Sequence, residues 1–231
     1  MKRLDHGDES SQDMFCLVVE DASVSPLSVV ESLPNNYWMR RLASYDPALL
    51  RHSLFVSGLS ASFSAFLGQH VIEQRTLALA GLLHDIGKIE IPLPILNKPS
   101  LLTPSEIEMM QSHPRLGYEM LRKDGETNRT VLAVVRDHHE RLDGSGYPRS
   151  LRATEIPVSV RLVTICDVFA AMTEVRPYAE PMRRDDALER MAGKRTRLDM
   201  ELVSAFTAMV KRTTSILDGR LIPFRDRNKG G

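Results

Sequence analysis

The stretch Leu77-Ala78-Leu79-Ala80-Gly81-Leu82-Leu83-His84-Asp85-Ile86-Gly87-Lys88 decides how this chain folds. Up to Leu83 it is apolar at every position, which predicts a helix buried on all sides, running from Val71 to Gly87. Into that core the sequence puts an imidazole, a carboxylate and, four residues after the imidazole, an ammonium. Positions 84 and 88 share a helical face, so Lys88 is expected to stand above whatever His84 holds. A carboxylate among apolar neighbours is costly unless it is paired or bound to a metal. Two readings of His84-Asp85 stay open at this point: a metal site, or a helix C-terminus where both hydrogen-bond to backbone and Gly87 is the cap.

Moving outward towards the N-terminus, Asp46-Pro47 is a helix start, an N-cap residue followed by proline at the first position. That helix is expected to reach Leu67, and its apolar stripe of Val56, Leu59 and Phe63 also carries His52. His70, just past Gly68, is expected on the surface, as is His6. Residues 27–45 read as two short helices forming a lid or brace, and residues 1–25 show no chemistry.

Towards the C-terminus, three prolines between Ile91 and Pro99 predict extended chain. Thr103-Pro104-Ser105-Glu106 is a capping box, opening a helix that reaches His113 and is broken or restarted by Pro114. Residues 129–140 form a further helix with His138 and His139 at its end, and packing gives no reason for two adjacent histidines there. They lead into Glu140-Arg141-Leu142-Asp143-Gly144-Ser145-Gly146-Tyr147-Pro148, where the glycines permit tight turns and close approach to a ligand and Tyr147 offers a ring or hydroxyl. Ile156-Pro157 starts a helix to Glu174 whose inward stripe holds Asp167. Arg176-Pro177-Tyr178 then returns a cation and a ring. Two last helices, 184–192 and 199–216, carry core positions, and the chain turns polar from Asp218.

With 231 residues, 42% hydrophobic and 26% charged, the chain suits one globular domain with short extensions, or at most two small ones. A formal net charge of zero gives no sign of a basic surface for a nucleic-acid polymer. Cys16 and Cys166 lie far apart, which argues against a disulfide framework or a thiolate metal site and leaves both as buried thiols. No signal peptide or membrane-length apolar run is present, so the cytoplasm is the expected location.

Taken together, His52, His84-Asp85 with Lys88, His113, His138-His139 and Asp167, with the spelling His-Asp-Ile-Gly-Lys and His-His-Glu-Arg-Leu-Asp-Gly-Ser-Gly-Tyr-Pro, resemble the HD-GYP family. This is a branch of the HD-domain metal-dependent phosphohydrolases, and the resemblance spans about residues 45–210. It implies an all-α HD-domain helical bundle at 46–217 with a two-metal site in its core, between an N-terminal extension (1–45) and a flexible tail (218–231). It also implies hydrolysis of the bacterial second messenger cyclic di-GMP to pGpG or GMP by a metal-activated hydroxide. His52, His84, Asp85, His113, His138, His139 and Asp167 would be the ligands, with Asp85 as the bridge. Lys88 would neutralise phosphoryl oxygens or protonate the leaving oxygen. Arg176, Tyr147 and Gly146 would line the substrate pocket. Imidazoles with carboxylates suit two divalent ions, iron or manganese first, with zinc, nickel or magnesium as alternatives.

Two departures from the family pattern stand out. Ala48 occupies the position where some members carry an acidic residue and hold a third metal, so two ions are expected. Ala179-Glu180 follows Arg-Pro-Tyr where many members have a basic residue, which weakens the phosphate grip. Residues 1–45 are too short for a receiver domain, so either the protein works alone or its regulator is another chain, a regulatory protein or a diguanylate cyclase, that binds the N-terminal segment; a homodimer stays open. The alternatives are an HD-type hydrolase of another cyclic dinucleotide or a nucleotide, and a module that binds cyclic di-GMP or a partner without turnover.

Overall fold

The structure, a computed structural model, describes residues 37–174 and 180–220, with side chains of the last helix as far as Thr213. Among the described residues it is a helical bundle without strands, as expected from the sequence. In chain order the helices are α1 (Tyr37–Tyr45), α2 (Pro47–Phe66), α3 (Val71–Leu83), α4 (Leu93–Leu96), α5 (Pro104–Gln111), α6 (His113–Lys123), α7 (Arg129–Asp137), α8 (Val158–Thr173), α9 (Arg184–Ala192) and α10 (Met200–Arg220). A 3₁₀ turn at Ile86–Glu90 joins α3 to α4, and a shorter one covers Ala153–Glu155.

The predicted start signals act as written. The Asp46 carboxylate accepts from the backbone N–H groups of Ala48 and Leu49 at 2.7 and 3.2 Å and opens α2, with Pro47 needing no partner. Thr103 and Glu106 close their reciprocal capping box on α5. His70 is exposed, as expected, and caps α3 together with Glu73.

The central pair is α2 against α3, and small residues set how close they lie. Ser53, Ser57, Ser60 and Ser64 are all buried along α2. A Cβ on Gly81 would sit 3.1 Å from the Val56 carbonyl oxygen, so α3 passes against the α2 backbone itself. Helices α7 and α8 complete the centre with Val131, Val134, Val135, Val160, Val163 and Ile165, all fully buried. Phe63, Phe206 and Phe169 meet edge to face, at 5.2 and 5.1 Å between ring centres, and tie α2, α10 and α8 into one apolar core. Met39 and Leu42 of α1 are buried in the same core, so this helix braces the bundle.

Several boundaries differ from the sequence reading. The helix expected to reach Gly87 stops at Leu83, and a 3₁₀ turn follows. The apolar pattern hides the break because Ile86 and Ile89 stay buried after it. Its cause is Gly87, where a Cβ would lie 2.0 Å from the His113 carbonyl oxygen and 2.5 Å from the Gly117 nitrogen, so the turn lies directly on the α6 backbone. Lys88 therefore does not stand one α-turn above His84; it meets Asp85, three residues back. The prolines of 91–99 do not keep that segment extended: Pro92 is an N-cap and Pro94 lies in the first turn of α4, where a missing N–H costs nothing. The helix before His138 ends at Asp137, and α10 runs on to Arg220. The expected helix before residue 37, His6, Cys16, Arg176, Tyr178, Ala179 and the last residues of the tail lie outside the described residues. Cys166 is buried, and burial pushes its thiol up, so it is a core thiol as expected. No helix among the described residues is long and apolar enough to cross a membrane.

Candidate metal centre

The ends of three helices deliver histidines to one point. His84 follows the last residue of α3, His113 follows the end of α5, and His138 and His139 follow α7. Helix C-termini leave carbonyls without intrahelical partners. Here the imidazoles take them up: His84 Nδ1 donates to the Gly81 carbonyl at 2.7 Å, and His113 Nδ1 donates to that of Met110 at 2.7 Å. His138 Nδ1 donates to the Val135 carbonyl at 3.1 Å and that of Val134 at 3.2 Å. A carbonyl can only accept, so each ring carries its proton on Nδ1 and turns an Nε2 lone pair inward.

What those lone pairs face is Asp85. Its Oδ1 lies 3.1 Å from His113 Nε2 and 3.6 Å from His138 Nε2. Its Oδ2 lies 3.3 Å from His84 Nε2 and 3.8 Å from His52 Nε2, and takes an ion pair from Lys88 Nζ at 2.5 Å. His113 Nε2 and His138 Nε2 also approach to 3.3 Å. Acceptors brought face to face repel one another unless a cation or a proton lies between them. His84 Nε2 and Asp85 Oδ1 are buried with no hydrogen-bond partner, which is costly in a protein held together by such packing alone. The residues present fit a divalent cation centre, with imidazole and carboxylate donors and no thiolate. Two sets of donors converge within 4.8 Å: Asp85 with His113, His138 and His139, and Asp85 with His52 and His84. Asp85 belongs to both.

Asp167, on α8, adds its Oδ1 at 3.1 Å from His52 Nε2 and 3.8 Å from His84 Nε2. The seven residues expected as ligands are thus all in one place. The sequence reading missed what holds His52: the Glu174 carboxylate, just past α8, accepts from its Nδ1 at 2.6 Å. Burial pulls the His52 imidazole down, but hydrogen bonds to Asp167 and Glu174 outweigh it and raise the pKa to about 9. Asp167 is held low by the same His52 contact, against the effect of burial. Burial keeps His113 neutral, with a pKa of about 4, and lowers His139 as well. Asp85 is held well below the usual carboxylate range despite its burial, with the Lys88 ammonium paired to its Oδ2.

Around this centre the loop after α7 is closely tied. Glu140, buried and also missed, accepts from the backbone N–H groups of Arg149 at 2.6 Å and Leu151 at 2.9 Å. The close approach that Gly146 permits is to the loop's own backbone, where a Cβ would lie 2.5 Å from the Arg141 nitrogen. Tyr147 stacks on His139 with 4.7 Å between ring centres, and burial keeps its hydroxyl protonated. A cavity of about 490 Å³ opens beside His52, His139, Asp167 and Lys88, a size that suits a small organic ligand. Arg141, Arg190, Lys194 and Arg197 also line it, and none of these was picked out from sequence.

The HD domain signature matches residues 36–202. The chain belongs to the HD domain family. A cyclic di-GMP phosphodiesterase of Pseudomonas aeruginosa is 38% identical over 170 residues, 74% of this chain and 41% of that protein. A 3'3'-cGAMP-specific phosphodiesterase of Vibrio cholerae is 39% identical over 142 residues, 61% of this chain and 32% of that protein. Each curated relative described is thus matched over less than half its length. The fold is shared with Bd1817, an HD-GYP-type protein of Bdellovibrio bacteriovorus, at a TM-score of 0.59 and 19% identity, over 80% of this chain and 57% of that one. HD domains of this kind are metal-dependent, and the His/Asp cluster is able to hold metal.

Proposed function

We propose that the chain is a metal-dependent phosphodiesterase that opens cyclic di-GMP to pGpG or GMP, using two divalent ions, iron or manganese first. The observation that carries this is the Asp85 carboxylate, with Oδ1 turned to His113 and His138 and Oδ2 turned to His84 and His52. One carboxylate shared by two donor sets is how a pair of ions is bridged. When bound, such ions activate a water for in-line attack and neutralise the attacked phosphate. In this reading His52, His84, Asp85, His113, His138, His139 and Asp167 are the ligands, and no further carboxylate is needed at Ala48.

The chain's own groups do the rest. The Nδ1 bonds fix His84, His113 and His138 in the tautomer a cation needs. Lys88 is held at the Asp85 side of the cavity, where its ammonium offsets charge on the phosphoryl oxygens or gives a proton to the departing ribose oxygen. Tyr147, stacked on His139, forms a ring wall beside the phosphate, and Gly146 shapes that loop. Arg176 is retained as a phosphate contact on sequence grounds. The domain is proposed to cover 46–217, and a regulatory protein or a diguanylate cyclase is proposed as the partner of the N-terminal segment.

A second reading, hydrolysis of a hybrid cyclic dinucleotide, is favoured by the likeness to the 3'3'-cGAMP-specific relative. Metal content of protein purified without chelator, measured together with hydrolysis of a cyclic dinucleotide panel, separates these. Near two ions per chain with turnover of cyclic di-GMP supports the first reading, and turnover of the hybrid alone supports the second. Two ions with binding but no turnover would make the chain a binding module, and one ion or none would overturn the two-metal proposal.

A further inference from the structure

The cations of the cavity outnumber what a single attacked phosphate requires. Arg141 lies on the loop after α7, with one guanidinium nitrogen, Nη1, buried and without a hydrogen-bond partner. Guanidinium donors left unpaired inside a protein are costly, and arginine is suited to gripping phosphate oxygens in pairs. The carboxylates next to it in the chain are already engaged. Glu140 is taken by the backbone of Arg149 and Leu151, and Asp143 by Ser145 and, at 3.7 Å, by Arg197. Arg190 and Lys194 have no ion-pair partner among the described residues, although both line the same cavity.

These four side chains come from two segments that are tied together. The Leu142 N–H donates to the Arg197 carbonyl at 3.2 Å, and the Arg197 guanidinium reaches Asp143 across the same junction. The loop after α7 and the segment running from the last turn of α9 to Arg197 therefore present their cations to one space, with Met172 and Leu198 supplying apolar lining beside them. A cyclic dinucleotide carries two phosphates held apart by its ring. If the metal centre engages one, the other needs its own counter-charge, and the sequence puts Ala179-Glu180 where a basic residue would have helped.

We propose that Arg141, Arg190, Lys194 and Arg197 form a subsite for the second, uncleaved phosphate of a cyclic dinucleotide. This rests on the phosphodiesterase reading above. It makes ring size and double charge, not the scissile bond alone, the basis of substrate choice.

The test compares manganese-loaded wild type with Arg141→Ala and with the double variant Arg190→Ala/Lys194→Ala. Cyclic di-GMP is set against bis(p-nitrophenyl) phosphate, which has a single phosphate. The KM for cyclic di-GMP is expected to rise roughly 10–100-fold, the worth of a charge-assisted hydrogen bond, and at least tenfold more than the KM for the single-phosphate substrate. Metal content by mass spectrometry is expected to match wild type in every variant. The double variant alters half-buried or exposed side chains, so it remains informative if Arg141→Ala folds poorly. Equal losses on both substrates, or an unchanged KM for cyclic di-GMP in the double variant, would overturn the subsite while wild-type turnover upholds the phosphodiesterase. Wild type that cleaves the single-phosphate substrate but no cyclic dinucleotide would overturn the reading on which the subsite rests.

Discussion

The two halves of the histidine centre are held by different means. Around Asp85 Oδ1, His113 and His138 are locked by backbone carbonyls at helix ends, and burial keeps His113 neutral with a pKa of about 4. Around Oδ2, His52 is locked by a side-chain carboxylate, Glu174, and is flanked by Asp167, which together raise it to about 9 against the effect of burial. The first half is a set of lone pairs that needs a cation. In the second, His52 already holds a proton between two carboxylates, which must leave before a metal enters, while His84, seated on the Gly81 carbonyl, keeps an unpartnered Nε2. Backbone thus fixes His84, His113 and His138, and a side chain alone orients His52.

That contrast can be broken most severely at Asp85, the one residue common to both halves. Asp85→Ala is expected to lose both ions and to drop turnover by at least about a thousandfold, since nucleophile activation and phosphate binding go together. Metal analysis showing one ion retained would mean that the halves do not share this carboxylate. Lys88→Ala, acting only on the Oδ2 side, is expected to keep full metal content while kcat falls roughly 100–1,000-fold, as removal of one preorganised charge does elsewhere. Loss of metal in that variant would make Lys88 a structural partner of Asp85.

Gly87→Ala tests the backbone-fixed half. Its Cβ would collide with the His113 carbonyl, and overpacking against backbone is expected to cost about 1–3 kcal/mol in urea unfolding. Unchanged stability would show that the 3₁₀ turn can move off α6. The mildest effect is expected from Glu174→Gln, which keeps the shape but removes a charge beside His52. Metal affinity at that half should fall roughly 10–100-fold, the usual worth of such a partner, while the other half holds its ion under a competing chelator. Equal release of both ions would erase the distinction drawn here.

How much of this the sequence disclosed follows from which signals are local. All seven ligand candidates were legible because each breaks an apolar pattern or a packing expectation: His52 and Asp167 on inward stripes, His138-His139 at a helix end. The bundle and most helix starts were legible from caps such as Asp46-Pro47 and Thr103–Glu106. The stop after Leu83 was not, because Ile86 and Ile89 continue the apolar run and the obstacle, the His113 carbonyl, is remote in sequence. Glu174 and the cations at 141, 190, 194 and 197 were missed for the same reason. A charged residue on a half-exposed turn looks like ordinary surface until the fold brings it to a cavity.

The use of terminal carbonyls to seat His84, His113 and His138 makes helix length a ruler. Each ring sits three residues beyond a carbonyl of the helix it terminates. Inserting or deleting one residue within α3, α5 or α7 would turn the terminal histidine by about 100° around the helix axis and aim it away from Asp85. Changes of chain length are therefore expected to be tolerated in the exposed connections, such as residues 98–103 and 124–128, and to be excluded from these three helices, even where the substituted surface is solvent-facing.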